Sequence, residues 1–156
     1  MRRKDREVTN QNAIDTIIEN CKILRLGFND NEGVYIVPVC FAHKHENGKR
    51  IFFFHSANEG KKVRILQANP VVGFEMDRGF ELQTAEKACH HSAGYQSIIG
   101  KGIVSKIETF EDKQKALNLI MSSYTGKSDW TFDEKTLNVT CIFKIYVTEL
   151  TCKENA

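Results

Sequence analysis

The stretch FAHKHENGKRIFFF, residues 41–54, constrains the fold of this chain more than any other. Asn47-Gly48 lies between two runs of strand character, and both central positions of a type I′ turn need positive φ, which Asn and Gly tolerate best. The flanking runs must therefore pair antiparallel, because a parallel pair needs a crossover of about a dozen residues or more. Short connections recur. KILRLGF and VYIVPVCFA are separated only by NDNEG, and VVGFEMD, YQSIIGKGIVSKIE and NVTCIFKIYVTEL add three further apolar runs. About six or seven strands against two or three helices favour a mainly β fold with attached α-helices. The expected form is an antiparallel barrel closed on itself, since a doubly wound sheet needs a helix between most strands.

The helices have their own signals. Thr9 is placed to cap a first helix in which Ala13, Ile14, Ile17, Ile18 and Cys21 recur at intervals of three and four. KKVRILQANP reads as a short helix stopped by Asn69-Pro70, because the residue before a proline disfavours helical backbone. ETFEDKQKALNLIMSSY is the clearest helix, with Phe110, Leu117, Ile120, Met121 and Tyr124 forming one stripe. Pro38 lacks a ladder donor, so its strand belongs at an edge, at a bulge or beside a ligand. Gly100 and Gly102 mark a bend in the long strand that carries them. Residues 78–94 follow no clear period.

Size and charge narrow the function. A chain of 156 residues suits one domain spanning residues 1–156. Lys and Arg total 22 against 20 Asp and Glu, a net +2, so bulk charge gives no reason to expect nucleic acid or an anionic membrane as partner. MRRKDREVTN is too polar for a secretory signal, and no run approaches the roughly 18 apolar residues of a membrane span. Five scattered cysteines, Cys21, Cys40, Cys89, Cys141 and Cys152, suit free thiols in a reducing compartment, so a cytoplasmic location is expected.

FFFHSANEGKKVRIL, residues 52–66, holds the main candidate site. An apolar strand ends at His55, a polar bend follows, and the next helix opens with Lys61 and Lys62, with Arg64 close behind. Free N–H groups at a helix start attract an anion, and the cations add to that attraction, which suits a phosphate. The alternative is a pair of solvated lysines on an exposed helix face. His55 is placed to exchange a proton with a ligand, or to serve as an ordinary structural histidine. CHHSAGYQS supplies Cys89, His90 and His91, and FAHKHE supplies His43 and His45. Neither has the spacing of a zinc finger or ribbon, so loop histidines facing solvent are expected, with no metal site. The chain lacks a Walker A sequence and a GxGxxG after a strand.

MRRKDRE, ILRLGF, YIVPVCF, FFFHSANEGKKVRIL, NPVVGFEMD and YQSIIGKG together resemble the 5-nitroimidazole-resistance proteins, which are flavin-binding members of the pyridoxamine 5′-phosphate oxidase-like superfamily. The resemblance runs from Met1 to about Tyr124. It implies an FMN-binding split β-barrel and a homodimer with FMN at the subunit interface. By that resemblance Lys61 and Lys62 hold the flavin phosphate, with Ser56 as a hydroxyl donor. Val37, Pro38, Val39 and Cys40 lie along the ring and ribityl chain, Phe54 and His55 form the facing strand, and Ser97 and Ile98 reach the ring system. His55 matches the histidine near the reactive face of the cofactor. Two positions depart from the pattern and bear on substrate choice: Cys40 stands where many relatives carry Asn or another polar residue, and His91 where Trp is frequent.

The implied activity is reduction of a small oxidised substrate, such as a nitro-aromatic, by a flavin recharged from NADH or NADPH. FAD in place of FMN is left open, as is a role for Arg25. The competing expectation is a module that binds, stores or senses a flavin or haem without turnover.

Overall fold

The computed structural model describes residues 3–156; Met1 and Arg2, which begin the resembling segment, lie outside the described residues. The chain runs α1 (Gln11–Asn20), β1 (Leu24–Asp30), β2 (Gly33–Val39), β3 (Phe41–Glu46), β4 (Lys49–Ala57), α2 (Lys61–Ala68), β5 (Val71–Gln83), β6 (Ser92–Lys106), α3 (Phe110–Thr125), α4 (Glu134–Asn138) and β7 (Thr140–Asn155). All seven strands join one sheet in the order β2-β1-β5-β6-β7-β4-β3, and every pairing is antiparallel. The hairpin at Asn47-Gly48 forms as expected, with φ of 52° and 73° at its two residues.

The stretch 34–42 is two strands, not one. β2 pairs with β1 at one edge of the sheet and β3 with β4 at the other, and Cys40 alone connects them. A chain that passes from one edge to the other through a single residue forces the sheet to curl until its edges approach. Among the described residues no ladder pairs β2 with β3, so the expected closed barrel is instead split along that seam. Pro38, opposite Arg25 on β2, occupies the edge position its missing N–H requires.

Alternation along the strands divides the apolar side chains between two cores. Leu24, Leu26 and Phe28 of β1, Phe52 and Phe54 of β4, Phe74 and Met76 of β5, and Ile98 of β6 fill the barrel. Ile51 and Phe53 of β4 point the other way, under Ala116, Leu117 and Ile120 of α3 and Leu137 of α4. Phe52 meets Phe41 and Phe74 edge-on at ring separations of 5.8 and 5.2 Å, the tilt that aromatic quadrupoles favour. Removing a ring so deeply buried costs about 3–5 kcal/mol.

The helices dock as their sequence stripes suggest, with adjustments. α1 buries Ile14, Ile17 and Ile18 in the barrel core, and its cap is Asn10 rather than Thr9, because the Asn10 side chain accepts from the Ala13 N–H at 3.0 Å. α3 packs through Ala116, Leu117 and Ile120, leaving Phe110 and Tyr124 at its ends exposed. Residues 78–94, silent in sequence, extend the β5–β6 hairpin beyond a bulge between Arg78 and Glu81. Gly100 is obligatory: a Cβ there would strike the Glu149 carbonyl and the Phe74 ring, so β6 crosses β5 and β7 closely only without a side chain.

Candidate functional site

Three segments converge where the barrel is split. The register of β3 and β4 sets Phe41 opposite Phe54, so one residue further the Cys40 corner lies across from His55. Tyr124 holds this corner, its Oη accepting from the Phe41 N–H at 3.0 Å and donating to the Lys22 carbonyl at 2.8 Å. Partial desolvation of the phenol end, where it meets Phe41, pushes Tyr124 up to about 12. The sequence showed Tyr124 only as part of a helix stripe, because its role depends on partners remote along the chain.

β4 then delivers His55 to the surface and Ser56 inward, Ser56 being 6% exposed with its Oγ donating to the Ala57 carbonyl at 2.9 Å. Partial desolvation first, and then the nearby Lys62 cation, lower the His55 imidazole below its ordinary value. The bend ends at Gly60, whose φ of 142° suits only glycine. Among the described residues no side chain caps α2, so its first-turn N–H groups are left without a side-chain acceptor beside Lys61 and Lys62.

The two lysines differ. Lys61 Nζ sits 3.1 Å from Asp30 and 3.3 Å from Glu32 of the β1–β2 turn, and 5.2 Å from the Tyr35 ring centre. The hydrogen bonds it donates to Asp30 and Glu32 raise its pKa. Lys62 has no carboxylate partner among the described residues. Lys61 and Arg64 also line a groove of about 650 Å³ between α2 and the β1–β2 turn, with Asp30 and Glu32 opposite. Asp30 and Glu32 are the partners that sequence reading missed; NDNEG signalled only a turn.

Lys61 reaches the Asp30–Glu32 end of the β1–β2 hairpin, roughly 20 Å along β1 from the Leu24–Val39 end; at that second end Val37, Pro38, Val39 and Cys40 lead into the corner across from Phe54, His55 and Ser56, and Lys62 is near His55. Pro38, Cys40 and His55 are exposed there, whereas Phe54 faces wholly into the barrel and offers a ligand only its backbone. Ser97 and Ile98 are elsewhere. Along β7, His55 lies against Ile142 and Ser97 against Lys153, a path along the curved strand of roughly 35 Å at about 3.3 Å per residue. Ile98 is fully buried in the barrel.

The outer face of β2, β1, β5 and β6 carries Val34, Ile36, Val71, Ile99 and Ile103, all exposed. Gly27 and Gly73, paired across β1 and β5, leave a shallow depression between them. Arg25 borders it and is held by Glu75 at 2.9 Å and Asp77 at 2.6 Å. Cys89, His90 and His91 are exposed around the short turn at the end of the β5–β6 arm. His43 and His45 lie within β3, and His43 is enclosed rather than facing solvent, with burial pulling its imidazole down to about 4. Among the described residues no helix is long and apolar enough to cross a membrane.

The family model for pyridoxamine 5′-phosphate oxidase matches residues 10–154. The chain belongs to that family. A solved structure of a candidate 5-nitroimidazole antibiotic resistance protein from Bacteroides thetaiotaomicron is 28% identical, covers 94% of this chain and 85% of its own, and superposes with a TM-score of 0.82. The FAD and heme binding protein from Mycobacterium smegmatis shares the fold at a TM-score of 0.83, with 13% identity over 96% of this chain and 73% of that one. The heme storage protein HutZ from Vibrio cholerae does so at 0.60, with 15% identity over 94% and 96%. No curated protein matches the chain. The mainly β, split-barrel architecture of the family is therefore the architecture of this chain.

Proposed function

We propose that this protein is a flavin-dependent oxidoreductase that reduces a small oxidised substrate, such as a nitro-aromatic, with NADH or NADPH as electron donor. The carrying observation is the uncapped start of α2, where Lys61 and Lys62 follow the bend that leaves β4 at the exposed His55, with Lys62 near that imidazole. These groups fit a flavin phosphate: uncapped N–H groups and two ammonium groups suit a dianion. Lys61 would exchange its exposed carboxylate partners for phosphate, and Lys62 would bind without losing one. When bound, the flavin supplies the two-electron chemistry. His55, kept largely neutral by its surroundings, orients the substrate through a ring N–H or relays a proton at the other nitrogen.

FMN is the expected form, with FAD as the larger variant. Val37, Pro38, Val39, Cys40, Phe54 and Ser56 would line it through side chain or backbone. Ser97 and Ile98 are too far along β7 to share one flavin with His55 of the same chain, so their participation calls for a second subunit. A homodimer across the exposed Val34, Ile36, Ile99 and Ile103 face would bury that apolar surface. Five unpaired thiols fit a reducing, cytoplasmic setting.

Absorption spectroscopy of the purified protein, with mass analysis of the released compound, tests the cofactor; a flavin spectrum is expected, and an empty or haem-only protein overturns the reading. Nicotinamide oxidation with a nitro-aromatic acceptor tests turnover, and His55→Ala should abolish it while flavin stays bound. One observation favours a second reading, a flavin- or haem-binding module without turnover: His55 has no hydrogen-bond partner among the described residues to relay a proton. Flavin retention without turnover under any nicotinamide and acceptor would select it.

A further inference from the structure

We infer that Asp15, His43 and His45 form a binding site for a divalent transition-metal ion of the class that imidazole favours, with zinc first among them. His43 and His45 stand two apart on β3 and so project to one side of the strand. α1 presents Asp15 to both. His45 Nε2 is 2.9 Å from Asp15 Oδ2, and His43 Nε2 is 3.6 Å from Asp15 Oδ1. One ligand atom from each residue lies within 4.8 Å of the others. Around a tetrahedral zinc with bonds near 2.0–2.1 Å, ligand atoms stand about 3.3 Å apart, close to the 2.9 Å between His45 Nε2 and Asp15 Oδ2 and within the 4.8 Å that spans all three ligand atoms. Only a small inward shift of the two imidazoles completes the triangle.

A separate observation points to a missing ligand. The His43 side chain is 7% exposed, and its Nε2, aimed at this triangle, is buried without a hydrogen-bond partner among the described residues. A buried polar nitrogen is normally satisfied, and a metal ion would satisfy this one. Arg50 does not compete for the whole carboxylate: it holds Asp15 Oδ1 at 2.5 and 3.1 Å and leaves Oδ2 turned to His45. That bond fixes the carboxylate's orientation, as groups behind metal ligands commonly do. His45 is 44% exposed, so solvent can reach the ion and supply the remaining position. The site is built from α1 and β3 and shares no residue with the flavin corner.

Isothermal calorimetry of the chelator-stripped full-length protein with zinc chloride tests this, whatever flavin it carries. One zinc per chain is expected, with nitrogen and oxygen neighbours by X-ray absorption. His45→Ala, at an exposed position, should weaken binding at least tenfold with an unchanged circular dichroism spectrum, and Asp15→Asn should act likewise. A variant with Cys89→Ser, His90→Ala and His91→Ala should bind as the parent does. Absence of saturable binding, undiminished affinity in His45→Ala, or loss of binding in the Cys89 triple variant would each overturn the assignment.

Discussion

Two charged clusters sit at opposite ends of β4, and they differ in how far water has been removed from them. At one end Arg50 and His43, 9% and 7% exposed, close on Asp15. At the other, Lys61 at 38% reaches across to Asp30 and to Glu32, which is 82% exposed. An exposed pair contributes about 0–1 kcal/mol, whereas breaking an enclosed one strands a charge. The first cluster therefore binds α1 to the sheet, and the second can lose its carboxylate contacts at little cost. Two groups of similar composition thus have different uses because of burial.

Asp15→Ala puts the largest strain on this contrast. It leaves the Arg50 guanidinium enclosed and without its carboxylate, and should cost about 2–4 kcal/mol in chemical denaturation, somewhat below a fully buried pair because Asp15 is 23% exposed. A loss under about 0.5 kcal/mol would erase the distinction between the clusters. Replacing both Lys61 and Lys62 with Ala should do the reverse. Stability should change by less than about 1 kcal/mol, while retention of flavin falls by roughly tenfold or more, as loss of charge-assisted phosphate contacts implies. Equal retention by dialysis and absorbance would remove the lysines from the site.

Thiol labelling sharpens the same contrast across the molecule. Cys40 at the seam and Cys89 on the arm should react within the first phase, while Cys21, Cys141 and Cys152 stay protected until unfolding. Burial pushes Cys21 and Cys152 up to about 11, so few thiolates form even in mildly alkaline buffer. Peptide mapping after timed alkylation reads this. The smallest effect is at His55. Its folded-state pKa lies below the unfolded value, so its contribution to stability is lost as pH falls below about 6.5, where only the unfolded chain gains the proton. Lys62→Gln removes the cation and should shift the His55 titration upward by NMR; a downward shift would contradict their proximity.

Legibility in the sequence followed the range of the interaction. The Asn47-Gly48 turn, the placement of Pro38 at an edge and the docking face of α1 were all readable, because turn dihedrals, a missing donor and a 3.6-residue period act over a few neighbours. Lys61 and Lys62 were legible as cations at a helix start. That Lys61 leans on Asp30 and Glu32 was not, since the pairing depends on where the β1–β2 turn falls against α2. Nothing local in VYIVPVCFA announces that its halves belong to opposite edges of the sheet, so residues 34–42 look like one strand in sequence. His43 and His45 resembled a loop pair until α1 placed Asp15 beside them.

The order of apolar runs and turns was enough, by itself, to determine an antiparallel, mainly β molecule, because alternation and turn chemistry are set by each residue's own neighbours. Only the tertiary structure decided that the barrel stays split at Cys40 and that Asp15 closes on two histidines of β3. Those outcomes depend on how far a seven-stranded sheet coils and which side chains its curvature brings face to face, a sum over the whole ladder rather than a property of any one segment.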